Sequence, residues 1–353
     1  MQALKSKKGL MALPALKGMQ AGMTYFTAMC PLEYVAGIFK YTDDSLSPQM
    51  RSQRTLNKGR IPEMRDYILN NPCSYTFSAL TASIDGDYDF KENKDNSSFG
   101  MLRISGSARV IINDGQHRRE ALIQALKCKP ELRFEEIAIV FYCDRGLERS
   151  QQIFSDLNRY AVRPTKSLSI LYDNREQFSI LVRECVEEVE TFKGSVELEK
   201  TTISNRSKNL FTLSGIYHAS QFLLSGLDIN QENYKKFITN FFCAVEKEMQ
   251  IWQLIKNKGI QPCDFRKEYI NAHTIFLKAI AMAGNALYKK YGQDYLKRLD
   301  GLADIDFRKD NPELQGIVMT QGKMVAATAN TRLLAEYILA KLKEGINIDA
   351  NKR

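Results

Sequence analysis

The sequence has little of the chemistry that metal sites use. Its 353 residues include three histidines, His117, His218 and His273, which lie far apart along the chain. The seven cysteines are scattered singly, and no pair has the close spacing of a zinc or redox motif. We therefore expect no metal site built from histidine or cysteine.

Long hydrophobic runs are also lacking. None approaches the roughly 20 residues needed to cross a bilayer. The apolar stretches near the N-terminus are broken by Pro14, Lys17 and Gly18, which argues against a signal peptide. Because unpaired cysteines are typical of a reducing compartment, we expect a cytoplasmic protein with no membrane partner. Cys30 is either a reactive thiol or, as most free cysteines are, a quiet buried one.

Positive charge is what the chain has in excess. Its 50 lysines and arginines outnumber the 41 acidic residues and give a net charge of +9. Such a charge favours an acidic partner, of which nucleic acid is the commonest, although it fits a merely basic soluble protein equally well. Three basic segments supply candidate contacts to the phosphates of double-stranded DNA. They are Arg51, Arg54, Lys58 and Arg60; Arg163 and Lys166; and Arg206 and Lys208. Taken alone, each also fits a solvated charged face.

The most informative segment is IINDGQHRREALIQAL, residues 111–126. Two β-branched residues lead into an Asp-Gly turn, and a pattern typical of a helix follows. The free N–H groups at the start of a helix attract anions, and Arg118 and Arg119 add full positive charges there. The segment therefore predicts a phosphate-binding turn between a strand and a helix.

The residues of the turn suit that chemistry individually. Asp114 is able to cap the helix or to hold the water of a metal ion, and Gly115 permits a close approach of the backbone. Gln116 and His117 are hydrogen-bond donors, and Arg118 is able to grip phosphate with two parallel bonds. The alternative is a plain Asp-Gly turn before a solvated helix. Five consecutive polar or glycine residues after a buried strand favour the site.

The two halves of the sequence differ in pattern, which predicts an α+β fold. We expect a mixed α/β domain over residues 1–185 and a helical domain over residues 186–353. Strands are predicted at 23–29, 74–85 and 135–144, a hairpin at 101–114, an exposed polar loop at 85–99, and helices at 62–70, 116–127 and 148–160. Further amphipathic helices are predicted at 233–255, 270–291 and 331–343.

Two segments together resemble a known family. DGQHR at Asp114–Arg118, with the apolar strand before it, and FSDLNRYAVRPTKS some forty residues later are similar to DGQHR-domain proteins. The similarity is closest to the DndB-like members of bacterial DNA phosphorothioation (Dnd) systems. A wider resemblance is to the ParB/sulfiredoxin-like fold, whose members bind nucleotide phosphates at such a turn. The resemblance implies nucleotide-binding positions at Gly115, Gln116, His117, Arg118, Arg119 and Asn158.

The resemblance also implies functions. One is a DNA-binding transcriptional regulator of the dnd operon, with a nucleotide at the turn as a candidate gate. Candidate partners are promoter DNA, other Dnd proteins and a second copy of the chain. The alternative is a nucleotide triphosphatase, coupled in related defence proteins to DNA nicking. It would use ATP or another nucleotide with Mg²⁺, and Asp114, His117 and Arg118 as catalytic residues. A third reading is an interaction scaffold in which the turn is purely structural.

Overall fold

The computed structural model describes residues 11–39, 59–143, 147–159, 163–204, 206–257 and 259–343. The chain divides into two compact units, Met1–Val162 and Arg163–Arg353. This division precedes residue 185, where the sequence analysis places the limit of the first domain. A mixed sheet with helices, followed by a largely helical unit, confirms the predicted α+β class.

The described part of the first unit contains seven strands, four α-helices and one 3-10 helix, Pro130–Phe134. The strands are β1 (Met11–Gln20), β2 (Met23–Pro31), β3 (Leu80–Asp85), β4 (Tyr88–Glu92), β5 (Phe99–Ile104), β6 (Arg109–Asp114) and β7 (Glu136–Cys143). The helices are α1 (Leu32–Ile38), α2 (Arg60–Asn70), α3 (Gln116–Cys128) and α4 (Leu147–Arg159). Apolar side chains of the strands pack with α1, α2 and α3 in one core that includes Leu13, Phe26, Leu80, Leu122 and Phe141.

The seven strands form one curled sheet in the order β4-β5-β1-β2-β7-β3-β6. Only two residues, Gly86 and Asp87, join β3 to β4, although these strands stand five places apart. A flat sheet would separate them by roughly 24 Å, whereas this link spans about 11 Å at most. The sheet therefore curls until the β4–β5 pair meets the β3–β6 pair at a corner.

The curl explains why the hairpin predicted at residues 101–114 is wrong. A turn is present, since the Ala108 N–H donates to the Ser105 carbonyl over 3.0 Å. The strands on either side do not pair with each other, because β5 pairs with β1 and β4 while β6 pairs with β3. The turn takes the chain round the corner of the sheet instead of reversing it.

The polar loop predicted at residues 85–99 is also corrected, since it contains β4. The rings of Tyr88 and Phe90 lie with their centroids 6.0 Å and 4.8 Å from that of Phe26. Two aromatic rings spaced by one residue thus attach this polar segment to the core as an edge strand.

The second unit is built from helices. In its described part these are α5 (Lys166–Tyr172), α6 (Gln177–Glu188), α7 (Leu213–Leu224), α8 (Tyr234–Glu248), α9 (Gln250–Lys256), α10 (Pro262–Glu268), α11 (Thr274–Tyr291) and α12 (Thr328–Lys341). Four two-residue strands accompany them: β8 (Val196–Glu197), β9 (Phe211–Thr212), β10 (Met319–Thr320) and β11 (Lys323–Met324). No described helix is both long and apolar enough to cross a bilayer.

The core of this unit centres on α7 and α11, which lie side by side and run parallel. A Cβ added to Gly215 would lie 2.7 Å from Thr274 Oγ1, and one added to Gly284 would lie 3.1 Å from Leu223 Cδ1. The single helix predicted at 233–255 is two helices, since the chain leaves helical geometry at Met249 with ψ of 78°.

Candidate phosphate-binding turn and basic surface

The predicted strand–turn–helix order is present around Gly115. Strand β6 ends at Asp114, Gly115 has φ of +98°, and α3 begins at Gln116. A Cβ on Gly115 would also lie 2.5 Å from Leu80 Cδ2. Both the left-handed backbone and the close approach of Leu80 require glycine at this position.

The side chain of Arg118 folds back across the turn. Its Nη1 donates to the carbonyl oxygens of Ser78 and Ala79 over 2.8 Å and 3.1 Å, and it also contacts the Ser78 hydroxyl. Its Nη2 donates to Oδ2 of Asp114, in an ion pair one helical turn apart. The guanidinium therefore fastens segment 78–79 to the turn, and the carboxylate balances its charge.

This arrangement fits a phosphate only in part. No side chain makes a capping hydrogen bond at the start of α3, and its first turn contains no acidic residue, which suits an anion near its N–H groups. The Asp114 carboxylate, however, already accepts from Arg118 Nη2, and backbone carbonyls already accept from Nη1. A phosphate ligand must displace Asp114 from Arg118 in order to bind with two parallel bonds.

His117 lies close to Arg60, a residue that the sequence analysis assigns to DNA. Helices α2 and α3 pack together, with Arg60 in the first turn of α2. Burial and the positive charge of Arg60 lower the pKa of His117 below its ordinary value. Both effects favour the neutral imidazole, which is able both to donate and to accept hydrogen bonds.

Arg119 and Gln116 make other contacts. Arg119 Nη2 donates to the Phe39 carbonyl over 3.1 Å, and its guanidinium carbon lies 5.7 Å from the centroid of the Phe39 ring. The Gln116 amide nitrogen lies 3.5 Å from the Asn113 carbonyl oxygen. Arg119 thus contacts Phe39 at the end of α1. These contacts do not involve Asp114.

Sequence reasoning missed Asn113, the residue just before the turn. Its side chain is fully buried; Nδ2 donates to Ser83 Oγ and Oδ1 accepts from Ser150 Oγ, both over 2.7 Å. These bonds tie β3, β6 and the first turn of α4 together. The signal that points to it is a lone amide inside an apolar strand, because a buried polar side chain needs partners.

Asn158 is predicted to bind nucleotide together with the turn. Within the described residues its side chain makes no contact with the turn. Asn158 lies eight residues after Ser150, which is about 12 Å along the axis of α4. Its side chain is exposed and donates to the Phe154 carbonyl over 2.8 Å.

The structure joins two of the basic segments into one surface. Ser167 Oγ donates to the Lys200 carbonyl over 2.8 Å, and the Thr165 hydroxyl donates to the carbonyl of Glu199. Glu197 accepts from the Lys200 N–H over 3.2 Å and from the Asn209 amide over 3.3 Å. We call the exposed residues that these bonds bring together the basic surface: Lys166, Lys200, Arg206 and Lys208.

A buried arginine supports this surface from beneath. Arg266 donates to the carbonyl oxygens of Ser204 and Ser207 over 3.2 Å and 2.6 Å, and also to that of Asn209. Arg266 therefore holds the loop that carries Arg206 and Lys208 through the backbone carbonyls of that loop. Arg163 is also exposed, three residues before Lys166. Arg51, Arg54 and Lys58 lie outside the described residues.

His218 and Lys278 extend the basic surface, and sequence reasoning missed both. Lys166 Nζ lies 4.6 Å from the centroid of the Tyr217 ring, next to His218. Burial and the charges of Lys278 and Lys166 lower the pKa of His218. Burial alone lowers the pKa of Lys278, and no described carboxylate pairs with it. Only the fold reveals this group, since its members come from three helices.

The comparisons with known proteins give one family. A family model described as DndB, DNA-sulfur modification-associated, matches residues 13–344, which includes most of both units. No curated protein and no solved structure matches the chain. The ParB/sulfiredoxin-like resemblance therefore stays a prediction.

Proposed function

The chain belongs to the DndB family of DNA-sulfur modification-associated proteins, and from this premise we propose that it is a DNA-binding transcriptional regulator of the dnd operon. The observation that carries the proposal is the convergence of Lys166, Lys200, Arg206 and Lys208 on one surface of the second unit. Promoter DNA is the proposed partner. Other Dnd proteins and a second copy of the chain are further proposed partners.

The basic surface suits the phosphate backbone of a duplex. Its four charges are exposed, and the loop that carries two of them is fixed by Arg266. Because the backbone of that loop is already held, the loop loses little conformational freedom when its side chains bind phosphates. Such contacts position a protein on DNA without reading its sequence, so selection of the operator requires additional contacts to base edges.

The turn at Asp114–Arg118 is the proposed site of a regulatory nucleotide. The uncapped start of α3 supports binding of a phosphate group, to which the ring N–H of His117 is able to donate. Bound phosphate would replace Asp114 on Arg118 and thereby loosen or reset the contacts to segment 78–79. Through that exchange, a bound ligand would change the contacts between the turn and segment 78–79 in the first unit.

The alternative of a nucleotide triphosphatase has less support from the contacts. It requires Asp114 to orient Mg²⁺ or water while Arg118 stabilises the transferred phosphate. In the structure these two side chains bind each other. Binding is therefore favoured over hydrolysis.

A comparison of two DNA duplexes tests the proposed regulatory function. Fluorescence anisotropy should measure binding of the purified protein to a promoter fragment of the dnd genes and to a scrambled duplex of equal length and composition. We expect tighter binding to the promoter, by about 10³-fold or more at physiological salt. Equal affinity for both duplexes would contradict the regulator and leave non-specific DNA binding, and no binding to either would contradict both.

A further inference from the structure

Two lysines and a histidine from three helices of the second unit lie together. Lys166 is the first residue of α5, His218 lies on α7 and Lys278 lies on α11. We call these three residues the lysine–histidine group. Lys166 is exposed, whereas His218 and Lys278 are half-buried, so the group reaches from the surface into a partly enclosed position.

Contacts between α5 and α7 bring Lys166 to His218. Ser167 Oγ donates to Ser214 Oγ over 3.1 Å, and His218 lies one helical turn after Ser214. Lys166 Nζ lies 4.6 Å from the centroid of the Tyr217 ring, and that centroid lies 5.6 Å from the centroid of the His218 ring. The ammonium group is therefore held beside the imidazole.

The packing of α7 against α11 brings Lys278 to the same place. A Cβ added to Gly215 would lie 2.7 Å from Thr274 Oγ1, which marks a close contact between the two helices. Because the helices run parallel, His218 and Lys278 each lie about one turn beyond this contact. The charges of both lysines act on the imidazole and lower its pKa, as expected of close neighbours.

The group carries positive charge without an acidic partner. Within the described ranges no carboxylate pairs with Lys166, His218 or Lys278. His218 Nδ1 donates to Gln221 Oε1 over 3.1 Å, which leaves Nε2 for another partner. A half-buried ammonium group such as that of Lys278 is costly without a counter-charge, so the arrangement calls for an anion.

We propose that the lysine–histidine group binds a phosphate group. Donors that converge from three helices suit an anion whose oxygens point in several directions, and charge-assisted hydrogen bonds to phosphate are strong. Bound phosphate offsets the charges of Lys166 and Lys278, which favours a proton on His218 Nε2 and makes that nitrogen a third donor.

The phosphate belongs either to a free compound or to the backbone of DNA. The proposal does not rest on recognition of the promoter, because inorganic phosphate alone is enough to test it. Loss of promoter specificity would therefore leave the site standing, and loss of the site would leave specificity to be explained by other contacts.

NMR of protein with isotope-labelled histidine tests the proposal, because the three histidines of the chain report three different places. His218 reports the lysine–histidine group and His117 reports the turn. His273, whose Nε2 lies 2.9 Å from the Arg266 carbonyl oxygen, is the internal control. Inorganic phosphate at constant pH should move the His218 signals saturably toward their protonated positions and leave those of His273 in place. Potassium chloride at equal ionic strength should not reproduce this movement.

A short DNA duplex in place of phosphate separates the two sources. Movement of the His218 signals at a lower concentration of phosphate groups assigns the site to the DNA backbone. Movement with inorganic phosphate alone assigns it to a free compound. Movement with neither probe would overturn the proposal.

Two substitutions on α11 locate the site. Lys278→Met keeps the length of the side chain but removes one donor, and it should weaken phosphate binding at least about tenfold. Because it deletes a half-buried charge without a counter-charge, the variant should be at least as stable as the wild type, which thermal unfolding checks. Lys289→Met, at an exposed position of the same helix, should bind like the wild type. Unchanged affinity in Lys278→Met, or equal movement of the His218 signals with chloride, would also overturn the proposal.

Discussion

The hydroxyl of Ser167 donates to the carbonyl oxygen of Lys200 over 2.8 Å. This bond joins two segments that lie 33 residues apart. It places Lys166 beside the loop that carries Arg206 and Lys208, with Glu197 bonded to both ends of that loop. The bonds that hold this surface use hydroxyls, backbone groups, the Glu197 carboxylate and the Arg266 guanidinium, and none of them uses the side-chain charges of Lys166, Lys200, Arg206 or Lys208.

Gly115→Ala should destabilise the protein by about 3 kcal/mol, because the left-handed backbone and the contact with Leu80 both disfavour a Cβ. Gly22→Ala is the matched control. Gly22 has φ of +74° with no atom within 4 Å of an added Cβ, so it should lose only about 1 kcal/mol. Urea unfolding measures both, and equal losses would mean that Leu80 does not constrain the turn.

Asp114→Asn should strengthen binding of inorganic phosphate or ATP at the turn by about tenfold. The substitution removes a negative charge and frees Arg118, whereas Arg118→Ala should abolish binding. Thermal shifts against ligand concentration measure both effects. Lys127→Ala, at an exposed position of the same helix, should bind like the wild type. Identical shifts for wild type, Asp114→Asn and Arg118→Ala would place any phosphate site elsewhere.

The local order of strand, turn and helix at Asp114–Gln116 was predictable, because it depends on the period of apolar residues and on one Asp-Gly pair. The contacts of Arg118 were not, since its partners Ser78 and Ala79 lie about forty residues earlier in the chain. Arginine near an Asp-Gly turn predicts an anion site as readily as a structural tie. Only the fold shows which donors the guanidinium has already used.

The pairing of strands β5 and β6 was unpredictable for a related reason. Both strands were predicted, and so was the turn between them. Whether a turn reverses a strand or bends it depends on the neighbours of each strand, which come from β1, β3 and β4. The members of the basic surface were likewise identified one segment at a time, and their convergence required the bonds of Ser167 and Glu197.

Asn113→Ala and Ser150→Ala should each destabilise the first unit, by about 2 kcal/mol and about 1 kcal/mol, because the first removes two buried hydrogen bonds and the second removes one of them. In the Asn113→Ala background, Ser150→Ala should cost little. A double-mutant cycle by urea unfolding measures this coupling. Ser155→Ala, on the exposed face of the same helix, should be close to neutral. Strictly additive losses would mean that the two side chains do not support each other.

The second unit should lose stability as the pH falls from about 6.5 to about 4. Burial, together with the charge of Lys309, lowers the pKa of His273 to about 4, while the unfolded chain keeps a value near 6.5. Between these values the unfolded chain binds a proton that the native state refuses, so unfolding becomes easier. The loss approaches about 3 kcal/mol at the acid end.

His273→Gln isolates this effect, since the amide is able to replace the imidazole as a donor to the Arg266 carbonyl, which lies 2.9 Å from Nε2. Chemical unfolding at several pH values compares the two proteins. The wild type should lose more stability than the variant across this window, and the two should run parallel above pH 7. Parallel curves over the whole range would show that His273 titrates normally in the native state.

The most direct test of the central claim is the salt dependence of DNA affinity. The logarithm of the association constant falls against the logarithm of salt concentration with a slope of about 0.9 for each phosphate contacted. Combining Lys166→Ala, Lys200→Ala, Arg206→Ala and Lys208→Ala should weaken promoter binding and reduce this slope by about 3.6. Lys297→Ala, an exposed lysine of the segment Gly292–Leu299, should leave the slope unchanged. Thermal unfolding should first verify that the fourfold variant is folded. An unchanged slope in that variant would then show that DNA binds elsewhere.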